Sequence, residues 1–375
     1  MIPYGRQNII EEDINDVCET LRSDFLTQGP KVAEFEQAIS EYCQAKHAVA
    51  VNSATSALHL ACLALGVGVG DWVWTSPISF VASANCALYC NAKVDFVDVD
   101  ADSGLMSVTA LEEKLATAFA EGKLPKVIIP VHFSGQSCDM QAISITAKKY
   151  KVHVIEDACH ALGADYLESK VGNCEYSDIC VFSFHPVKMI TTGEGGIALT
   201  NSITYYEKIM TLRSHGVSKS RQLPPWAYEQ HHLGYNYRMS DIAATLGLSQ
   251  LKRLGNFVTK RRHIATQYKE KLNNFRFKPI LQSKQGESSF HLYPVLVTDS
   301  DTRKALYDYL HLNGIAAQVH YIPIYQQPYY KKMGCVPLPN SERCYERIIS
   351  LPIFYDLTSD ELNFVIQTLN DFGEA

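Results

Sequence analysis

From about residue 46 to residue 200 the chain alternates short apolar runs with stretches of helical periodicity, and this restricts the possible folds more than any other feature. Val127-Ile128-Ile129-Pro130-Val131, Val152 to Ile155, Ile179 to Phe182 and Ile197 to Thr200 each read as a buried strand. Met140 to Tyr150 reads as a helix between two of them. A strand without a polar face must be covered on both sides, and helices between successive strands supply that cover. The alternation therefore predicts an α/β domain with a mainly parallel sheet. Beyond residue 254 the pattern changes. A charged helix around Arg261 to Leu272, a strand-like His291 to Val297 and a helix from about Thr302 predict a smaller α+β domain. The expected division is 1–253, with an N-terminal helix near 11–22, and 254–375. A chain of 375 residues is long enough for each part to bury a core.

Composition serves to exclude function classes. The net charge of −6 leaves no polybasic footprint, so a nucleic-acid partner is not expected. Met1-Ile2-Pro3-Tyr4-Gly5-Arg6 has no apolar signal core, and no apolar run has the length of a bilayer span. A cytoplasmic protein without a membrane partner is expected. The eleven cysteines are odd in number and scattered, with no Cys-x-x-Cys pair, which argues against a disulfide framework and against a metal site. Cys86 and Cys90, four apart on a predicted helix, read as small core residues.

In open α/β sheets, ligands sit beyond the carboxyl ends of the strands, and three such ends carry chemistry here. Val49-Ala50-Val51 runs into Asn52-Ser53-Ala54-Thr55-Ser56 and then into an apolar helix. Free N–H groups, hydroxyls and small side chains at a helix start make a phosphate cup; an ordinary Ser/Thr cap has the same composition. Val152 to Ile155 delivers Glu156-Asp157-Ala158-Cys159-His160. Asp157 can hold the protonated ring nitrogen of a pyridinium cofactor, or simply cap the next turn. Strand alternation turns Glu156 to the opposite face. His160 can bond the cofactor, order Asp157, or serve structure alone. Val181 to Lys188 ends in one lysine among uncharged neighbours. Desolvation there lowers a lysine's pKa and makes the amine nucleophilic, as a Schiff-base lysine requires; a lysine snorkelling from a loop is the structural alternative. Ser183 adds a hydroxyl, and Gly193-Glu194-Gly195-Gly196 permits a tight return into the next strand. Phe80, after Thr75-Ser76-Pro77-Ile78-Ser79, is placed to stack on a flat ring. The order cup, Asp157, then Lys188 outweighs the separate structural explanations.

These segments, together with Leu26-Thr27-Gln28-Gly29-Pro30 and Gly234-Tyr235-Asn236-Tyr237-Arg238-Met239, resemble the DegT/DnrJ-type sugar aminotransferases of the fold-type-I pyridoxal-phosphate class over nearly the whole chain. The resemblance implies that Lys188 carries pyridoxal 5'-phosphate and shuttles protons, that Asp157 pairs with its ring nitrogen, and that Phe80 covers the ring. It implies Ala54, Thr55 and Ser183 at the phosphate, and Asn236 reaching the neighbouring subunit's phosphate, hence a homodimer with shared sites that Arg238 also approaches. His160 stands where many members have Gln. Related sugar dehydratases carry His in place of the lysine, so Lys188 favours amino transfer.

Thr75 to Ala82, Phe182 to Lys188, Arg213 to Gly216 and Ala317-Gln318-Val319-His320-Tyr321 resemble the branch that aminates C4 of a UDP-linked 4-keto-6-deoxy-N-acetyl sugar, with L-glutamate as donor, on the way to pseudaminic acid. By that resemblance Tyr4, Asp24, Phe25, Leu26, Thr27, Ala54, Ser183, Arg238, His320, Tyr321, Ile322 and Pro323 contact the nucleotide-sugar. Another nucleotide-linked 4-keto sugar stays open as substrate, as does a cofactor-bound regulator without turnover.

Overall fold

In a computed structural model, residues 1–218, 224–273 and 275–373 are described. A seven-stranded sheet forms the centre. Its strands are β1 (His47–Val51), β2 (Trp72–Thr75), β3 (Lys93–Phe96), β4 (Val127–Ile129), β5 (His153–Asp157), β6 (Ile179–Ser183) and β7 (Gly196–Thr200). Their spatial order is β1-β7-β6-β5-β4-β2-β3. All neighbouring pairs are parallel except those of β7, which runs antiparallel to β1 and β6. The carboxyl ends of the other six strands therefore share one edge.

Both faces of the sheet are buried, which is why its strands read as unbroken apolar runs. Successive residues serve opposite cores: Ala48, Ala50, Cys180 and Phe182 enter one, Val49, Val51 and Val181 the other. The helices between strands carry their own start signals. After α1 (Glu11–Arg22) and α2 (Pro30–Cys43), Ser53 accepts the Ser56 N–H at the head of α3 (Ala54–Ala64), and Asp139 accepts the Ala142 N–H at the head of a later helix, Met140–Tyr150. The expected strand at 127–131 stops at Ile129, because Pro130 offers no N–H; Val131 makes only a bridge to Asp157. Cys86 and Cys90 are both buried, at α4 (Ala82–Tyr89) and just after it.

The C-terminal part has a three-stranded antiparallel sheet, Phe277–Pro279, Tyr293–Val297 and Ile348–Leu351, with its own core around Tyr268, Val295, Leu306 and Val365. The long charged helix starts earlier than expected, at Leu254, and runs to Lys271. The following helix is Ser300–Leu312 because Asp299 caps it, two residues ahead of the expected start. No helix among the described residues is long and apolar enough to cross a membrane. Among them, too, no group of three or more His, Cys, Asp or Glu side chains is placed to hold a metal ion, and all eleven cysteines are free thiols.

Candidate active site

The sheet edge brings the cup, the carboxylate and the lysine together, with the lysine's strand β6 lying between the cup's side of the sheet and the carboxylate's strand β5. At the end of β1, Ser53 caps α3, so Ala54 and Thr55 occupy its first turn with the N–H groups of the helix start around them. Strand β7 passes directly beneath. A Cβ on Gly196 would lie 2.4 Å from Ala54 N and 2.5 Å from Ser53 C, so only glycine lets the two backbones approach this closely. Ser183 closes β6 beside Gly196, with which it pairs, and its hydroxyl accepts the His185 N–H at 3.4 Å.

Asp157 ends β5 and is 4% exposed. Its backbone is fixed on both sides: Asp157 N–H donates to Pro130 O and Asp157 O accepts from His132 N, both at 3.0 Å. Its carboxylate accepts the Ser83 hydroxyl on Oδ2 at 2.6 Å and the Cys159 N–H on Oδ1 at 3.2 Å. Ser83 in turn bonds Ser79 at 2.7 Å. Glu156 does face the other way, into a buried set with His132 (2.8 Å) and Ser177. Cys138 N–H donates to His132 Nδ1, so the imidazole proton sits on Nε2 and is donated to Glu156.

Lys188 lies in the turn after β6, where its N–H donates to His185 O at 2.8 Å. Burial pulls its ammonium below the ordinary range, and the nearby Cys159 and Asp157 restore part of the shift. The result is an amine closer to its nucleophilic form, within electrostatic reach of a fixed carboxylate. Three imidazoles join the same electrostatic neighbourhood. Burial and the Lys188 charge hold His160, His291 and His320 below their usual range, His320 at about 4.

His160 does not order Asp157. Its ring is turned away by two other partners, the Ser134 N–H at Nδ1 and the Tyr321 hydroxyl at Nε2, both at 3.3 Å. His320 reaches Ser350 at 2.9 Å, and the Tyr4 ring lies 5.4 Å from it. The segment through Ile322 and Pro323 is tied to the Phe80 turn by Ile324 N–H to Pro77 O at 3.0 Å. Phe80 itself is 61% exposed.

A second group of expected residues forms a separate surface. Asp24, Phe25, Leu26 and Thr27 are all exposed, and they meet the chain near Ser240 through a Thr27–Ser240 bridge and Asp241 N–H to Leu26 O. Asn236 is exposed and bridges to Ser214, while Arg238 bridges to Val51 and keeps a buried Nε without a partner. The sequence reading missed Ser83, His291 and Ser134. Only Ser83 had a local signal, one helical turn beyond Ser79.

A buried carboxylate at a strand end, a desolvated lysine and a helix start kept open by Gly196 fit a phosphorylated pyridinium aldehyde: each has the charge or donor set that one part of such a group requires. The sequence profile described as the DegT/DnrJ/EryC1/StrS aminotransferase family matches residues 7–370. A protein of Campylobacter jejuni subsp. jejuni serotype O:23/36 (strain 81-176), named UDP-4-amino-4,6-dideoxy-N-acetyl-beta-L-altrosamine transaminase, is 42% identical over 98% of this chain and 96% of its own length. The structure of Helicobacter pylori PseC, described as an aminotransferase involved in the biosynthesis of pseudoaminic acid, superposes with a TM-score of 0.91 at 34% identity, covering 98% of each chain. A putative sugar aminotransferase, Spr1654 from Streptococcus pneumoniae, in its PMP-form, gives 0.93 at 31% identity over 100% of this chain and 99% of its own.

Proposed function

The chain belongs to the DegT/DnrJ/EryC1/StrS aminotransferase family, and from that premise we propose that it transfers the amino group of L-glutamate to C4 of a UDP-linked 4-keto-6-deoxy-N-acetyl sugar. The product is UDP-4-amino-4,6-dideoxy-N-acetyl-β-L-altrosamine, an intermediate of pseudaminic acid biosynthesis. It is a pyridoxal-phosphate enzyme. The observation that carries the substrate reading is the 42% identity to the Campylobacter transaminase across nearly both full chains.

Bound pyridoxal phosphate supplies an electron sink and a carrier for the amino group. The residues of this chain do the rest. Lys188 Nζ holds the cofactor and, once displaced, takes the proton that leaves Cα of glutamate; in the return half it delivers a proton at C4 of the sugar. Burial lowers its pKa, which favours the free amine that accepts that proton. Asp157, fixed by Ser83 and Cys159, keeps the ring nitrogen protonated. Ala54, Thr55 and Ser183 receive the phosphate at the start of α3. Phe80 covers the ring and excludes water from one face.

Tyr4 and His320 to Pro323 contact the nucleotide-sugar from the same chain. Asp24 to Thr27 and Arg238 serve the site shared with a second copy, and Asn236 reaches that copy's phosphate. Exposure of Trp226 and Leu233 beside this segment, 82% each, supports a face that a homodimer covers. Eleven free thiols support a reducing, cytoplasmic setting. Mass spectrometry of the products from L-glutamate and a panel of UDP-, GDP- and dTDP-linked 4-keto sugars tests the reading. A single new amino sugar from the UDP-N-acetyl substrate is expected; amination of the dTDP or GDP sugars alone would reassign the substrate.

A further inference from the structure

The helix Leu254–Lys271 buries one stripe, in which Phe257, Val258, Ile264, Ala265 and Tyr268 recur at helical spacing. Arg261 breaks that stripe: a guanidinium stands where the period calls for an apolar side chain. It is 3% exposed, and among the described residues no carboxylate pairs with it. All its hydrogen bonds run from Nη1, to the carbonyl oxygens of Phe290, His291 and Ile353 at 3.2, 3.1 and 2.8 Å. Nε and Nη2 have no protein acceptor. Burial lowers its pKa to about 10, which leaves it charged at neutral pH. Buried charges are ordinarily paired, because leaving water is costly. Three carbonyl dipoles offset part of that cost but supply no counter-charge.

Arg261 lines a cavity between the N-terminal segment (Arg6 to Asn8), the turn that carries Lys188, and Tyr355 of the C-terminal part. None of the lining residues is acidic. The carboxylates bonded to two wall residues, Asn8 and Gln250, are already engaged: Asp356 accepts Asn8 Nδ2 at 2.9 Å, and Asp13 accepts Arg253 at 2.6 Å and Gln250 at 2.8 Å. Arg6 reaches Asp356 only at 3.7 Å, and its side chain is 57% exposed, so it is free to turn inward. Size then decides the occupant. The cavity measures about 10 Å³, room for one water-sized particle. A carboxylate or phosphate does not fit. A water fits but leaves the charge of Arg261 unbalanced. A halide balances it, and the exposed Arg6 can yield the little extra space.

We propose that this cavity is a binding site for a monatomic anion of chloride size, held between Arg261 and Arg6. The bound anion ties the N-terminal segment to the helix Leu254–Lys271 and to the turn after β6. The site stands apart from the aminotransferase reading: a protein that bound the halide but no pyridoxal phosphate would overturn only that reading.

The test uses the holoenzyme. Crystals grown in sodium bromide are expected to show an anomalous scattering peak in the cavity, between Arg261 and Arg6. In solution, Tm in sodium chloride is expected to exceed that in sodium gluconate by about 1–2 °C, since an ion that binds only the folded state stabilises it. Gluconate is too large to enter, and equal ionic strength removes general screening. Backbone hydrogen exchange at residues 6–8 is expected to slow in chloride. Arg261→Met should abolish the chloride dependence. Because that change leaves three carbonyls without a donor and can unfold the protein, Arg6→Gln, at an exposed position, is the deciding variant. It is expected to weaken chloride binding about tenfold, the size of one charge-assisted bond. A water in the cavity of the bromide crystals, bromide peaks confined to the outer surface (an adventitious ion only), equal Tm and exchange in the two salts, or an Arg6→Gln with wild-type chloride dependence would each overturn the assignment.

Discussion

Ser83 Oγ donates a 2.6 Å hydrogen bond to Asp157 Oδ2, joining the first turn of α4 to the end of β5 across 74 residues of chain. The carboxylate is thereby held by two donors, a hydroxyl and a backbone N–H, before any ligand enters. Such a group needs little reorganisation to receive a pyridinium.

Ser83→Ala leaves one oxygen of a buried carboxylate without its donor. Pyridoxal phosphate affinity is expected to fall about tenfold, as for the loss of a charge-assisted bond. Equilibrium dialysis of the cofactor checks this; unchanged affinity would mean that Asp157 needs no help from Ser83.

Lys188→Ala removes the only proposed point of covalent attachment. The purified variant is expected to show no visible absorbance from lysine-bound cofactor, no mass increase after borohydride reduction, and no turnover. Normal activity in this variant would overturn the catalytic assignment.

Gly196→Ala places a methyl group against the backbone of Ser53 and Ala54, where nothing flexible can yield. A loss of about 1–3 kcal/mol in unfolding free energy is expected from overpacking, together with weaker phosphate binding. Gly255→Ala is the control. It lies in the helix Leu254–Lys271 with nothing within 4 Å of the added carbon, so stability should hold or rise by about 0.5–1 kcal/mol. Equal denaturation midpoints for the two variants would contradict the steric account.

Acid should destabilise the protein below about pH 6.5, the ordinary histidine value. His160, His291 and His320 have native pKa values below that of the unfolded chain. The unfolded chain therefore binds protons that the native state refuses. Their contribution to stability is full above about 6.5 and declines as pH falls, until the native sites themselves protonate, at about 4 for His320. Each refused proton contributes a slope of about 1.4 kcal/mol per pH unit. Urea denaturation at pH 7, 6 and 5 measures the total. His160→Gln should remove one proton's share of the slope; an unaltered slope would mean that His160 titrates normally in the native state.

Much of the site was legible because its signals are local. Asp157 and Lys188 stand after apolar runs that had to be strands, and strand alternation alone sent Glu156 to the far side. Ser53-Ala54-Thr55 before an apolar helix is a cap signal whatever surrounds it. The strand at 127–131 was overextended because a run of apolar residues does not reveal where the ladder loses its donor at Pro130. The role of His160 stayed open between the cofactor, Asp157 and structure alone, because its Tyr321 partner is 161 residues away.

The sequence by itself determined the α/β class, the strand ends that hold the candidate residues and their order along the chain, since hydrophobic period and capping act within a few residues. Tertiary structure alone decided what each side chain faces. Ser83 meets Asp157, His160 meets Tyr321, and three imidazoles crowd one lysine because strands and loops distant in sequence pack together. Contacts across such separations leave no period in the sequence from which they could be read.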